Sequence, residues 1–351
     1  RFSLYLTVSE IMDASLPLPA AAAFLVLIVG RSFYTTSSII VIGSLWALLL
    51  WAQGCVLKWL TEERRKVHKK GAILISGCSS GIGRSAALAL DAAGFTVFAG
   101  VRKQADKESL VKERPSLVPV ILDVASCESV ETTMKSVKSE LEERKMQLVA
   151  LVNNAGISSG LPVEIEEITS VKRCFEVNVF GVFRLTRACI PMLRGTEGRI
   201  INISSLAAFA PRPTKAVYTA TKQAVDGVSA SLRMELWKWN ISVSVVNPGF
   251  VKTRITEKQV GDNVPFAKLP KQDFELYEHV FRGYEAKRLW QHDRGSGTDV
   301  TDDAILHAIT SPYPKVRYVV AKAGRFPASF VYWLFWLLPD TVKDIVTLSA
   351  N

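Results

Sequence analysis

Cysteine is sparse and unpatterned in this chain. Its five cysteines (Cys55, Cys78, Cys127, Cys174 and Cys189) are odd in number, scattered and form no C-x-x-C, which argues against a disulfide framework and a cysteine zinc site and fits a reducing compartment. Histidine is scarcer still. His68, His279, His292 and His307 show no ligand spacing and there is no H-E-x-x-H, so no metal is expected and catalysis must come from other groups. No initiator methionine is present: the chain opens on Arg1, and its natural start is expected upstream. The 351 residues are ample to bury a core.

Positive charge, by contrast, is in excess, at +10 with a pI near 9.4. Between Lys58 and Lys70 six Lys or Arg stand against Glu62 and Glu63, a local net of +4 directly after an apolar stretch. That position favours a juxtamembrane role over nucleic-acid binding, which is not expected. The remaining excess suits an anionic cofactor. Two apolar segments precede the run, roughly Ala14 to Gly30 and Ile39 to Leu57. The second, IIVIGSLWALLLWAQGCVL, carries no charge over about nineteen residues, close to the ~20 that span a bilayer core. The first carries Pro17 and Pro19 and is only marginally long. We therefore read residues 1–60 as a membrane anchor of one or two segments and 61–70 as a basic juxtamembrane linker. A pair of buried soluble helices is the competing reading. The charge run is expected to stay on the cytosolic side, most simply of the endoplasmic reticulum.

Residues 199–222, RIINISSLAAFAPRPTKAVYTATK, organise the rest. Ile200, Ile201 and Ile203 read as a buried strand ending at Ser204 and Ser205, the edge at which ligands bind in an open α/β sheet. Tyr218 and Lys222, four apart, share a helix face. The chain supplies a control: Tyr318 and Lys322 have the same spacing, but thirteen residues before Tyr318 stands Ile305, where Ser205 stands before Tyr218. The Tyr318 pair is read as structural.

From Gly71 an apolar strand, a glycine turn and an Ala- and Leu-rich helix follow one another. Gly77, Gly81 and Gly83 are spaced G-x-x-x-G-x-G, which lets backbone and helix N-terminus approach a pyrophosphate. The next strand ends at Val101 and Arg102, eighteen and nineteen residues beyond Gly83. An NAD site places a carboxylate about here, ~20 residues on; a guanidinium instead suits a 2′-phosphate. Arg84 is expected to add a second charge, so NADP(H) is expected in preference to NAD(H). Two solvated arginines on an NAD enzyme are the alternative. About seven strands alternate with helices, ending near RYVV, with no repeat or low-complexity tract between them. Between Thr253 and about Gly297 the pattern loosens into an insert carrying Phe266, Phe274, Tyr277, Phe281 and Tyr284, read as a substrate lid.

Together these residues resemble the short-chain dehydrogenase/reductase family from roughly Gly71 to Lys322. The resemblance implies a Rossmann-type, doubly wound parallel α/β sheet with helices on both faces, here preceded by membrane segments, with the catalytic domain over 71–325. The family's T-G-x-x-x-G-x-G falls on Ser76, Gly77, Gly81 and Gly83, serine keeping the hydroxyl, with Ser79, Ser80, Ile82 and Arg84 as further cofactor contacts. Its N-N-A-G falls on Asn153 to Gly156, giving Asn154, Ala155 and Gly156 as contacts. Asp123, with Val124, matches the acidic residue at adenine. Pro248, Gly249 and Thr253 match its P-G and later threonine. The implied catalytic set is Asn178, Ser205, Tyr218 and Lys222, the last two also touching cofactor.

A phenol of reference pKa ~10 is a poor base at neutral pH, and a neighbouring ammonium favours its ionised form. The resemblance implies that Tyr218 exchanges the proton, Ser205 holds the reacting oxygen, Lys222 holds the nicotinamide ribose and Asn178 supports a water-linked proton path. Beyond the core, Phe326 to Pro339 crowds Phe330, Tyr332, Trp333, Phe335 and Trp336 into a run too short to span. We read 326–351 as an apolar, membrane-associated segment, resembling the membrane-bound retinol and hydroxysteroid dehydrogenases. The expected substrate is a lipophilic alcohol or carbonyl, retinoid- or steroid-like; a long-chain sphingoid ketone is one alternative, and a non-catalytic cofactor-binding scaffold another. Whether the chain forms a homo-oligomer stays open.

Overall fold

The computed structural model describes residues 44–45, 48–49, 51–52, 64–253, 266–267, 269–282, 290 and 293–349. The chain divides into Arg1–Glu63 and Arg64–Asn351. Of the first unit, the six described residues are helical. Almost all of both apolar segments lies outside the described residues, among which no helix is long and apolar enough to cross a membrane.

In the second unit the apolar runs become strands. β1 (Ala72–Ile75), β2 (Thr96–Val101), β3 (Val118–Ile121), β4 (Leu148–Asn153), β5 (Arg199–Ile203), β6 (Ser242–Pro248) and β7 (Arg317–Val320) form one sheet in the order β3-β2-β1-β4-β5-β6-β7. Every pairing is parallel. Parallel neighbours need crossovers, and helices provide them: α1 (Gly81–Ala92), α2 (Gln104–Glu113), α3 (Cys127–Glu143), α4 (Ile168–Phe175), α5 (Gly181–Arg194), α6 (Ala216–Glu235), α7 (Lys271–Phe281) and α8 (Asp299–Thr310).

Strand side chains alternate between faces, so the sheet has a core on each side. Ile73 and Ile75 belong with Leu90 of α1 and Ile305 and Ile309 of α8. Ala72 and Leu74 belong with Val137 of α3 and Leu185 and Leu193 of α5. Burial on both faces explains why these strands read as continuous apolar runs. Strand order reverses between β1 and β4, which opens a crevice at the carboxyl ends of those strands.

At the opposite edge, residues 64–70 pack into the domain. Arg199, 1% exposed, donates to Lys66 O at 2.6 Å, Ser311 O at 3.0 Å and Ser242 Oγ at 3.1 Å. Arg65 N donates to Pro312 O at 2.8 Å. The buried His68 ring reaches Glu197 O.

After β7 the chain turns at Ala321, whose φ is +68°, into a short hairpin of β8 (Lys322–Ala323) and β9 (Phe326–Pro327). Two helices follow, α9 (Ala328–Leu337) and α10 (Asp340–Ser349). Phe330, Trp333, Trp336 and Leu337 of α9 are all more than half exposed. Phe335 differs from the expectation drawn from composition: it is buried, because it lies on the opposite helical face from Trp333 and Leu337. Of the expected lid, α7 is described, with Phe266, Phe274 and Phe281 stacked together and the Tyr277 hydroxyl donating to Glu164. Residues 254–265 and 283–289 lie outside the described residues. Tyr318 is buried in β7 with its hydroxyl against His307 Nδ1 at 2.7 Å, a structural place.

Candidate active site

The crevice is a cavity of about 520 Å³ whose walls come from the ends of β1, β2, β4, β5 and β6. Ser205 borders it. The residue is extended, at φ −165° and ψ 155°, and its Oγ accepts from Ala207 N at 3.1 Å, capping a short turn over Leu206–Ala208. Ser204 also borders the cavity but is buried, and its hydroxyl donates to Lys222 O at 3.1 Å. Ser204 thus ties strand end to helix, while Ser205 presents its hydroxyl at the wall.

Tyr218 and Lys222 reach the same cavity from the first turns of α6. The helix is entered through Thr214, held at φ +64°, an expensive conformation for a β-branched residue. Lys222, 4% exposed, donates from Nζ to Ile203 O at 2.8 Å, and Nζ lies 5.6 Å from the Tyr218 ring centroid. Burial pushes its pKa down to about 8, against the opposing pull of Cys174 and Asp226.

Asn178 occupies a five-residue π turn, Glu176–Phe180, between α4 and α5, closed by Gly181 N donating to Glu176 O. Its side chain is fully engaged: Oδ1 accepts from Ile157 N at 2.8 Å, and Nδ2 donates to Ile157 O at 2.8 Å and Thr221 Oγ1 at 3.0 Å. Asn178 therefore fastens the β4 loop to the helix of Tyr218 and does not itself line the cavity.

The glycine loop suits a dinucleotide. Gly77 and Gly81 have φ of +74° and +59°, and a Cβ on Gly77 would come within 2.8 Å of Ala155 Cα. A Cβ on Gly156 would stand 3.4 Å from Asn178 Oδ1 and 3.6 Å from Lys222 Nζ, in ordinary contact with both. Ser80, at the start of α1, makes no side-chain cap, so the first N–H groups of the helix are left for an anion. Ser79, Ser80 and Ile82 line this end, with Arg102, Asp123 and Val124 beyond them. Asn154, Ala155 and Gly156 form the middle, and Pro248, Gly249 and Thr253 the far wall. Ser76 serves from behind, its hydroxyl accepting from Asn154 N and Ala155 N at 3.0 Å each.

Two expected contacts stand elsewhere. Gly83 is set back, where a side chain would collide with Asn154 Nδ2 and Gly77 O; it is a packing glycine. Arg84 turns away to α2, pairing with Glu113 and donating to Ser109 Oγ at 3.0 Å. A charge-assisted bond to Glu113 holds that guanidinium on the α2 side. Conversely, Ser158, Arg212, Lys215 and Phe250 line the cavity and were not singled out from sequence. Lys215 is buried and donates to Ser159 O at 2.9 Å. Its place three residues before Tyr218 was the available signal.

Glycine cradle, open helix start and a Ser205–Tyr218–Lys222 wall on one crevice define a nicotinamide-dependent oxidoreductase. Residues 71–263 match the family described as short chain dehydrogenase. The chain belongs to the short-chain dehydrogenase family, whose members act on CH–OH groups. It is 31% identical over 280 residues to a D-beta-hydroxybutyrate dehydrogenase, mitochondrial, from Mus musculus, covering 75% of this chain and 78% of that one. It is 32% identical over 309 residues to 17-beta-hydroxysteroid dehydrogenase type 6 from Bos taurus, covering 83% and 92%. The 3-ketoacyl-(acyl-carrier-protein) reductase of Brucella melitensis, solved with NADH, shares the fold at a TM-score of 0.54 and 23% identity, covering 74% of this chain and 94% of its own.

The site's chemistry follows from its groups. The nicotinamide, when bound, supplies or accepts the hydride. Tyr218 offers a transferable hydroxyl proton on the helix wall of the cavity. Ser205 can donate to an oxygen held between it and Tyr218, steadying charge that develops there. Ile203 O and the Ser204 bond to Lys222 O fix where that lysine can stand.

Proposed function

We propose that this protein is a membrane-associated, NADP(H)-preferring oxidoreductase of a lipophilic alcohol or ketone, retinoid- or steroid-like, with Ser205, Tyr218 and Lys222 carrying the chemistry. One observation carries the substrate class: Tyr332 of the exposed, aromatic α9 packs edge-on against Phe209, four residues past Ser205, at 4.6 Å between ring centroids. A helix with Phe330, Trp333 and Trp336 outward suits the membrane interface, and here it abuts the loop of the reacting serine. A molecule dissolved in the bilayer would reach the cavity without crossing water. Leu45, Leu48, Leu49 and Trp51, more than half exposed in the earlier apolar segment, support the same association. The basic run supports a catalytic domain on the cytosolic side.

The cofactor preference rests on Arg102, which lines the cavity where a carboxylate would hold an NAD ribose. Arg102→Asp is expected to reduce or reverse the ratio of kcat/KM for NADPH over NADH. A parental preference for NADH would refute it.

A second reading is favoured by Arg212 and Lys215 on the cavity wall, together with the hydroxybutyrate dehydrogenase relatives: a short hydroxy acid whose carboxylate meets those cations. A panel of estrone, all-trans-retinal and acetoacetate with NADPH, read at 340 nm, separates the two. Turnover of estrone or retinal, with KM raised by Trp333→Ser and Trp336→Ser, supports the lipophilic reading; efficient turnover of acetoacetate alone refutes it.

A further inference from the structure

We propose that Arg317 is a positioning residue, whose guanidinium holds both ends of the Ser205 loop against the helix of Tyr218 and Lys222. The inference rests on the role given to Ser205 above.

Arg317 opens β7, remote in sequence from every motif. Its Nη1 donates to the carboxylate of Asp226 and, at 2.7 Å, to Asn247 Oδ1. Asp226 stands one helical turn beyond Lys222 on α6. Asn247, fully buried in β6, donates from Nδ2 to Ser205 O at 3.1 Å and leans on the same carboxylate at 3.3 Å. This fixes the start of the loop. Its end is Phe209, whose ring lies 4.7 Å from the guanidinium carbon; the Tyr332 ring lies at 5.9 Å. One planar cation thus touches the amide that holds the serine main chain, the carboxylate on the proton-transfer helix and the aromatic ring that closes the loop.

Only arginine meets these demands together. A guanidinium stacks on a ring by its face while its N–H edge serves a carboxylate and an amide; an ammonium is a point charge and does one of these at a time. The Asp226 pairing also keeps a nearly buried carboxylate, 10% exposed at the side chain, from standing unpaired next to Lys222. Displacement of Phe209 would move the Ser205 hydroxyl relative to Tyr218, and small misplacements of reacting groups reduce turnover steeply.

The test uses the full chain, NADPH and whichever of estrone, all-trans-retinal and acetoacetate the parent reduces fastest. Arg317→Ala is expected to lower kcat about 10- to 100-fold while the NADPH dissociation constant stays within about twofold. Added guanidinium ion should recover part of the lost kcat by filling the vacated slot. Arg317→Lys keeps the charge opposite Asp226, so it guards against loss of fold; it is expected to lose at least about fivefold in kcat. Near-parental kcat in folded Arg317→Lys, or loss in Arg317→Ala that tracks loss of NADPH binding and ignores guanidinium, overturns the proposal. Ser205→Ala runs alongside. If it is inactive while the Arg317 variants are normal, the clamp fails alone; if it turns over normally, the functional reading fails.

Discussion

Lys222→Met offers a test of the site's electrostatics that needs no substrate. The lysine is 4% exposed, and burial brings its pKa from the ordinary 10.5 to about 8. Its folded pKa is therefore below its unfolded one. Between pH 8 and 10.5 the unfolded chain holds the proton that the folded chain has released, so this group makes stability rise with pH. From pH 7 to pH 10 the linked gain is about 2–3 kcal/mol, at ~1.4 kcal/mol per pKa unit. Methionine has similar length and nothing to titrate. At pH 7 the variant sheds a desolvated charge but leaves Ile203 O without its donor, opposing effects of ~1–3 kcal/mol, so it is expected to be about as stable as the parent. The assay is urea unfolding followed by tryptophan fluorescence at pH 7 and pH 10. Stability of parent minus variant should grow by about 2–3 kcal/mol over that interval, which cancels the titration of all other groups. A difference unchanged within ~0.5 kcal/mol would refute the reasoning and put Lys222 in a wetter place than its burial implies.

Other outcomes follow from the same geometry. Tyr218→Phe keeps the ring and removes the proton, so kcat should fall ~10²- to 10⁴-fold with NADPH affinity unchanged; near-parental turnover would reassign the acid. Ser205→Ala should impair kcat far more than Ser204→Ala, which instead lowers the melting temperature by freeing Lys222 O; the reverse order would exchange their roles. Gly83→Ala should cost ~1–3 kcal/mol of stability by overpacking against Asn154 and Gly77 and weaken NADPH binding; calorimetry and titration check both, and a neutral variant would mean the loop relaxes freely.

The central strands were legible because they are buried on both faces and so carry apolar runs, such as AILI in β1 and LVALV in β4, while the edge strands β3 and β7 are partly exposed. The Ser205–Tyr218–Lys222 wall was legible because helix spacing and strand end are local properties. What escaped is what depends on competition at a distance. Arg84 had the right position for a phosphate, but Glu113, twenty-nine residues on, claims it. Phe335 looked like its aromatic neighbours until the helix phase turned it inward. Arg317 carries no motif, and its partners Asp226, Asn247, Phe209 and Tyr332 come from four separate stretches. Tyr318 and Lys322 share the spacing of the reactive pair, yet the turn at Ala321 places them on different elements.

Arg199 draws a border that the family match does not. The family match begins at residue 71, but the guanidinium at the foot of β5 takes one of its acceptors from Lys66, in a segment with no counterpart in that match. A polypeptide trimmed to Gly71 would retain every motif and still leave a desolvated cation short of an oxygen, with its Nε already unpartnered. Such a loss inside a protein costs on the order of 1–3 kcal/mol, more for a charge. The family match and the packed domain thus have different first residues, and a domain prepared for biophysics should start no later than Arg64.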